Sequence, residues 1–114
     1  MNKRQIGISG EQKAVKYLRK QGYKILDVNI KNHAGEMDIA AEINGIIVFI
    51  EVKVRSDDSF GTPAEAVNRY KIRRYINSAK LYINMKKLAN RDIRFDVIEI
   101  SPQGLNHIID AFRA

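Results

Sequence analysis

Cysteine and tryptophan are absent from the 114 residues, and histidine occurs only twice. Without cysteine the chain can build neither a disulfide framework nor a thiolate zinc site. His33 and His107 are too scattered for a histidine metal cluster, and His33, beside Ala34-Gly35, reads best as a turn residue. The opening MNKRQIGISG has no apolar core of an export signal, and no run nears the roughly 20 apolar residues that span a bilayer. A soluble cytoplasmic protein with no membrane partner is the expectation. Internal repeats, low-complexity tracts and linkers are also lacking. One domain, residues 1–114, suits this length and can bury a core without covalent staples.

Acidic residues are missing from one long stretch. The chain carries 20 Lys and Arg against 13 Asp and Glu, a net charge of +7. Residues 69–91, RYKIRRYINSAKLYINMKKLANR, hold eight basic residues and no acid. Ile72, Tyr75, Ile76, Ala79, Tyr82 and Ile83 recur at helical spacing, so most of this stretch is an amphipathic helix. Arg69, Lys71, Arg73 and Arg74 crowd its first turns, where the helix dipole favours acids. A phosphate backbone outside the fold would compensate them, which points to nucleic acid. Lys80, Lys86 and Lys87 fit a solubilising face equally well. The stripe lacks the Trp, Phe and Leu of an interfacial membrane anchor.

The acids that are present gather in GEMDIAAEINGIIVFIEVK, residues 35–53. Asn44-Gly45 between two apolar runs predicts a type I′ hairpin turn, in which both central residues need φ > 0. Pairing Ile43 with Ile46 sets Asp38 opposite Glu51 and Glu36 opposite Lys53. Side chains alternate along a strand, so these four share one face, which Ala40, Ile47 and Phe49 continue towards the turn. Met37, Ile39, Ala41, Ile43, Ile46, Val48, Ile50 and Val52 form the opposite, wholly apolar face. A solvated strand end with a Glu36–Lys53 ion pair explains half of the cluster. It leaves Asp38 facing Glu51, and like charges directly opposite destabilise a sheet. A hard divalent cation such as Mg²⁺ would offset them, with Lys53 holding a water beside it. From spacing alone both readings stay open.

Ser9 and Gln12 form a capping box that starts a helix near Gly10, with Gly22 as its C′ residue. Ala14, Val15 and Leu18 are its apolar stripe, and Glu11 lies on that stripe. A third carboxylate there could join the first two, or could simply favour the dipole's positive end. Thr62, Pro63 and Glu65 predict a short second helix, preceded by an overhanging loop at 56–61. The expected order is helix 9–21, strands 23–30, 36–43 and 46–54, helices 63–68 and 69–87, then strands 93–100 and 105–111. The long connection through the basic helix permits a parallel fourth strand. This is an α/β sheet flanked by helices.

With Glu11, Asp38, Glu51 and Lys53 in place, the chain resembles the PD-(D/E)xK nuclease superfamily. It is most similar to the small bacterial YraN family, whose layout is similar to archaeal Holliday-junction resolvases. GEQKAVKYLRKQGYKIL, GEMDIAAEINGIIVFIEVKVR, FGTPAEAV, RFDVIEI and HIIDAF carry the resemblance nearly end to end. It implies a restriction-endonuclease-like mixed sheet flanked by α-helices. It further implies Asp38 and Glu51 as Mg²⁺ ligands, Lys53 orienting the attacking water, Glu11 as the helix-borne acid, and the Val52 carbonyl as an extra ligand. Mn²⁺ would substitute for Mg²⁺. Met37 stands for the motif's proline, Gln12 for the usual acid, and Ile72 for the usual glutamine. The expected function is Mg²⁺-dependent endonucleolytic cleavage of DNA, including structured DNA such as junctions. The alternative is a non-catalytic nucleic-acid-binding module of the same fold. Homodimer formation is left open.

Overall fold

The computed structural model describes residues 3–55 and 69–113, with side chains from residue 10 on. The expected loop at 56–61 and short helix at 63–68 lie outside the described residues. Helix α1 spans Lys3–Lys20, followed by strands β1 (Lys24–Asn32), β2 (Gly35–Ile43) and β3 (Ile46–Val54). Helix α2 (Arg69–Met85) leads to β4 (Ile93–Ser101) and β5 (Gly104–Phe112). The strands form one sheet in the order β1-β2-β3-β4-β5. Neighbours are antiparallel except β3 and β4, which the connection through α2 makes parallel. The expected α/β class and mixed sheet hold, and the layout is consistent with a restriction-endonuclease-like fold.

Strand alternation decides which helix covers which face. Ile39, Ala41, Val48 and Ile50 point one way and pack on Ala14 and Leu18 of α1, with Ile98 and Ile100 from β4. Ala40, Ile47 and Phe49 point the other way, onto Tyr75, Ala79, Tyr82 and Ile83 of α2. Phe49 stacks on Phe95 at 5.8 Å and meets Tyr82 edge-on at 5.7 Å. Each such aromatic pair adds about 0.5–1.5 kcal/mol beyond the area it buries. The amphipathic reading of both helices therefore survives, with α2 on the face that carries Glu51 and Lys53.

The start of α1 differs from expectation. The helix begins at Lys3, so Ser9 lies inside it and does not mark its start. Residues 3–8 contain no proline to stop the helix, and an S-x-x-Q sequence marks a terminus only where the preceding backbone is non-helical. The other end is as expected. Gly22 has φ 93°, the Tyr23 N–H donates to the Leu18 carbonyl at 3.0 Å, and the Gly22 N–H donates to Arg19 at 3.1 Å. These two bonds, with Leu18 and Tyr23 packed in one cluster, are a Schellman cap.

A buried polar network ties β4 and β5 to α1. Asp96 is fully buried and accepts two hydrogen bonds from Arg94, both at 2.9 Å. It also binds His107 Nε2 at 2.7 Å and the Asp110 N–H at 2.9 Å. His107 Nδ1 in turn contacts the Tyr17 hydroxyl at 2.8 Å. Burial pushes the Asp96 carboxyl up, but His107, Arg94 and the Asp110 amide together hold it below its ordinary range. His107 is thus a packing residue.

Gly10 sets how closely α1 approaches β3. A Cβ there would overlap the Val54 side chain, and Ile100 lies just beyond. Val54 is β-branched and cannot swing away cheaply. Gly10→Ala should therefore destabilise the protein by about 1–3 kcal/mol despite the better helix propensity of alanine. In a urea titration the double variant with Val54→Ala should recover part of that loss. Additive losses would show that the approach is not limited by this contact.

Candidate active site

The site begins at the Asn44-Gly45 turn, whose φ values of 50° and 81° are both positive, as a type I′ hairpin requires. From there the β2–β3 ladder runs from Ile43↔Ile46 to Ile39↔Ile50 and stops. The Val52 N–H donates to the Asp38 carboxylate, Oδ2, at 2.8 Å. Here a side chain accepts the amide proton where the regular register would continue. The expected pairs Asp38–Glu51 and Glu36–Lys53 are accordingly not ladder pairs. Glu36 pairs with Lys31 of β1 instead.

A second irregularity matches the first across β1. The β1–β2 register shifts between Ile25 and Asp27 and then runs unshifted to Asn32↔Gly35, and within that run Asn29, with φ 50°, and Asp38 are left unpaired. On the far side of this break Ile30 and Met37 pack in the α2 cluster, whereas Ile39 packs on α1. Met37 is therefore on the opposite face from the one its spacing predicts. Asn32 then fastens this end of the hairpin. Its Oδ1 accepts the amides of Ala34 and Gly35 at 3.0 and 3.3 Å, and its Nδ2 donates to the Ser78 carbonyl of α2 at 3.1 Å.

Asp38 and Glu51 are brought together on the α2 side, where their side chains share a hydrogen bond. Burial, then the Asp38 charge and that shared bond, push the Glu51 carboxyl from 4.5 up to about 8, against the opposing charges of Lys71 and Lys53. Burial also raises Asp38, while the Val52 amide and Glu51 act to lower it. At neutral pH the Glu51 carboxyl therefore keeps its proton. The pair lines a cavity of about 450 Å³ with Glu36 on the sheet side and Tyr70, Lys71, Arg74 and Tyr75 on the α2 side.

The other predicted residues take varied positions. Lys53 acts electrostatically on both carboxylates and stands in register with Glu99 of β4. Glu11, on α1, is near enough that Asp38 adds to the upward push that burial gives its carboxyl. It lines a separate cavity with Val15, Ile25 and Asn29, on the other side of the sheet from α2. Val52 contributes its amide to Asp38. Arg69, Lys71, Arg73 and Arg74 are all exposed, and Lys71 and Arg74 face the carboxylate pair. Among the described residues, no group of three or more Asp, Glu or His is gathered closely enough to hold a metal. Two carboxylates nevertheless suffice for Mg²⁺, which keeps several waters and accepts phosphate oxygens.

Two residues of this region were not read from the sequence. Tyr75 counted only as part of the helix stripe, yet it is buried beside the acids, where burial and then the Glu51 and Asp38 charges push its hydroxyl up. Helical periodicity cannot distinguish a tyrosine from a phenylalanine in such a stripe. Glu99 is fully buried and accepts from Arg55 Nε at 3.0 Å. Alternation in FDVIE places Glu99 on one face with Phe95 and Val97, and that pattern could have revealed it.

A carboxyl raised in the folded state gives stability that is complete below its unfolded value and is lost as pH climbs through the folded one. For Glu51 the window runs from 4.5 to about 8. The metal-free protein should lose up to roughly 4 kcal/mol across it relative to Glu51→Gln, which has no proton to release. Thermal melts of both proteins in chelator at pH 5 and pH 8 measure this. The variant should equal or exceed the wild type at pH 8, and Mg²⁺ should restore the wild type there. A variant that melts far below the wild type at both pH values would make Glu51 a structural residue.

The sequence profile described as "Uncharacterised protein family UPF0102" matches residues 10–100. A UPF0102 protein of Clostridium perfringens strain 13 is 51% identical over 114 residues, covering 95% of this chain and 93% of its own length. One from Alkaliphilus oremlandii is 45% identical, covering 98% of this chain and 100% of its own. Another, from Persephonella marina, is 41% identical over 93% and 91%.

Proposed function

The chain belongs to the uncharacterised protein family UPF0102, and we propose that it is a Mg²⁺-dependent endonuclease of the PD-(D/E)xK type acting on DNA. One observation carries this reading. The Asp38–Glu51 pair and the Lys71–Arg74 cations face each other across one cavity, so a site for a cation adjoins a site for a phosphate. Neither half has a purpose in folding that accounts for the other. A cytoplasmic location belongs to the same reading, as does structured DNA as one substrate. Among the described residues no helix is long and apolar enough to cross a membrane.

Asp38 and Glu51 would hold the Mg²⁺, or Mn²⁺ in its place, with the Val52 carbonyl as a further ligand. The bound ion supplies charge against that developing on the phosphate and acidifies a water. Lys53, whose charge already bears on both carboxylates, orients the attacking water. Glu11 acts from the α1 side as a nearby acid, adding negative charge behind Asp38. Arg69, Lys71, Arg73 and Arg74 grip the flanking phosphates. A second reading, a non-catalytic nucleic-acid-binding module, draws on one feature: Asp38 and Glu51 share a hydrogen bond, with the Glu51 carboxyl raised to about 8, without any ion.

Lys53→Ala separates the two readings. It should lower cleavage of a panel of duplex, single-stranded and junction DNAs by about 10²–10⁴-fold. Binding and fold should persist. No cleavage by either protein would favour the binding module, whereas cleavage equal to that of the wild type would remove Lys53 from the catalytic set.

Affinity for DNA should fall steeply with salt, with a log–log slope of about −0.9 for each duplex phosphate neutralised. Replacing Arg73 and Arg74 by Ala should flatten that slope by up to about two units. An unchanged slope would place the phosphate contacts elsewhere.

A further inference from the structure

Among the described residues, Tyr70 takes no part in the packed clusters of the core. The buried positions of α2 are Tyr75, Ser78, Ala79, Tyr82 and Ile83, and Tyr70 lies off that stripe. It is 68% exposed, next to Arg69 and Lys71 in the first turn. Its ring is held by the Arg74 guanidinium, 5.8 Å from the ring centroid, and Arg74 Nε is itself anchored on the Ala34 carbonyl at 3.4 Å. Tyr70 also lines the cavity that contains Asp38 and Glu51. An aromatic face is thus fixed and open to solvent at the edge of the carboxylate site, surrounded by cations.

Such a face fits a flat, electron-delocalised group attached to an anion. We infer that Tyr70, backed by Arg74, is a stacking platform for an unpaired nucleobase, and that the substrate of this site is nucleic acid with an unstacked nucleotide beside the phosphate in the cavity. This deepens, and rests on, the nucleic-acid reading of the site. In a continuous duplex both faces of every base are covered by neighbours, so the ring has nothing to stack on. A single strand, a flap or a splayed junction arm offers a free face. Stacking is tolerant of base identity because every base has a π face, so the platform selects strandedness rather than sequence.

The test uses the full-length protein in chelator, where binding is read without cleavage. A single-stranded oligonucleotide carrying 2-aminopurine, and the same strand in a blunt duplex, are titrated with wild type, Tyr70→Phe and Tyr70→Ala. The wild type should quench the single-stranded probe and bind it in preference to the duplex. Tyr70→Ala should lose the quench and bind the single strand about tenfold or more weakly, with duplex affinity unchanged. Tyr70→Phe, which keeps the ring, should retain both. Equal single-strand affinity in wild type and Tyr70→Ala, equal losses on both probes, or no binding at all would overturn the inference. Cleavage is scored separately in Mg²⁺. Absence of cleavage with stacking intact would refute the nuclease reading alone, and cleavage with no effect of Tyr70→Ala on binding would refute the platform alone.

Discussion

The hydrogen bond from the Val52 amide to the Asp38 carboxylate, 2.8 Å long, organises this molecule. It replaces a ladder contact by a side-chain contact at the point where β2 and β3 part. A main-chain amide left unpaired in a partly buried sheet would cost about 1–3 kcal/mol, so the separation is tolerated only because Asp38 supplies an acceptor. That acceptor also fixes where the Asp38 carboxyl group sits. Glu51, on the adjacent residue, is then held against it. Beside the same break Asn29 of β1 has φ 50°, and Ile30 and Met37 pack on the α2 face.

Two charge distributions meet at this opening, and neither is self-sufficient. The sheet side brings carboxylates into partial burial, and the pair responds by keeping a proton that an isolated carboxyl would release. The helix side crowds cations into the first turns of α2, against its dipole. Lys71 reduces the strain on Glu51 electrostatically, but both halves remain suited to additional partners: a cation between the acids and an anion beside the bases. A phosphate group accompanied by a divalent ion supplies both at once.

The remainder of the fold is built to hold this opening steady. The Asp96 network locks β5 and α1 to β4 by hydrogen bonds that leave its carboxylate well satisfied. Asn32 clasps the β1–β2 turn to α2, and Arg74 reaches the same turn from the helix. The tight contact of Gly10 with Val54 brings α1 close to the end of β3, which is how Glu11 comes to feel the charge of Asp38. Rigid strands carry the acids and a firmly packed helix carries the bases, so the distance between them is set by core packing.

The sequence carried the strands, the hairpin turn and the faces of both helices in its local pattern. These depend on local rules: alternation every two residues, helical periodicity, and the φ > 0 that Asn44-Gly45 supplies. It also placed Asp38, Glu51 and Lys53 on a common face, because parity along a strand survives modest errors of register. The folded chain alone shows that the ladder ends at Ile39↔Ile50, that Met37 turns the other way, and that Glu11 lines a different cavity. It alone revealed the Asp96–His107 network and the position of Tyr70 beside the acids. Each of these depends on which distant backbone group or side chain is at hand to donate or accept a bond. Partners 14 residues apart, as Asp38 and Val52 are, or 90 apart, as Tyr17 and His107 are, leave no periodic trace in a sequence.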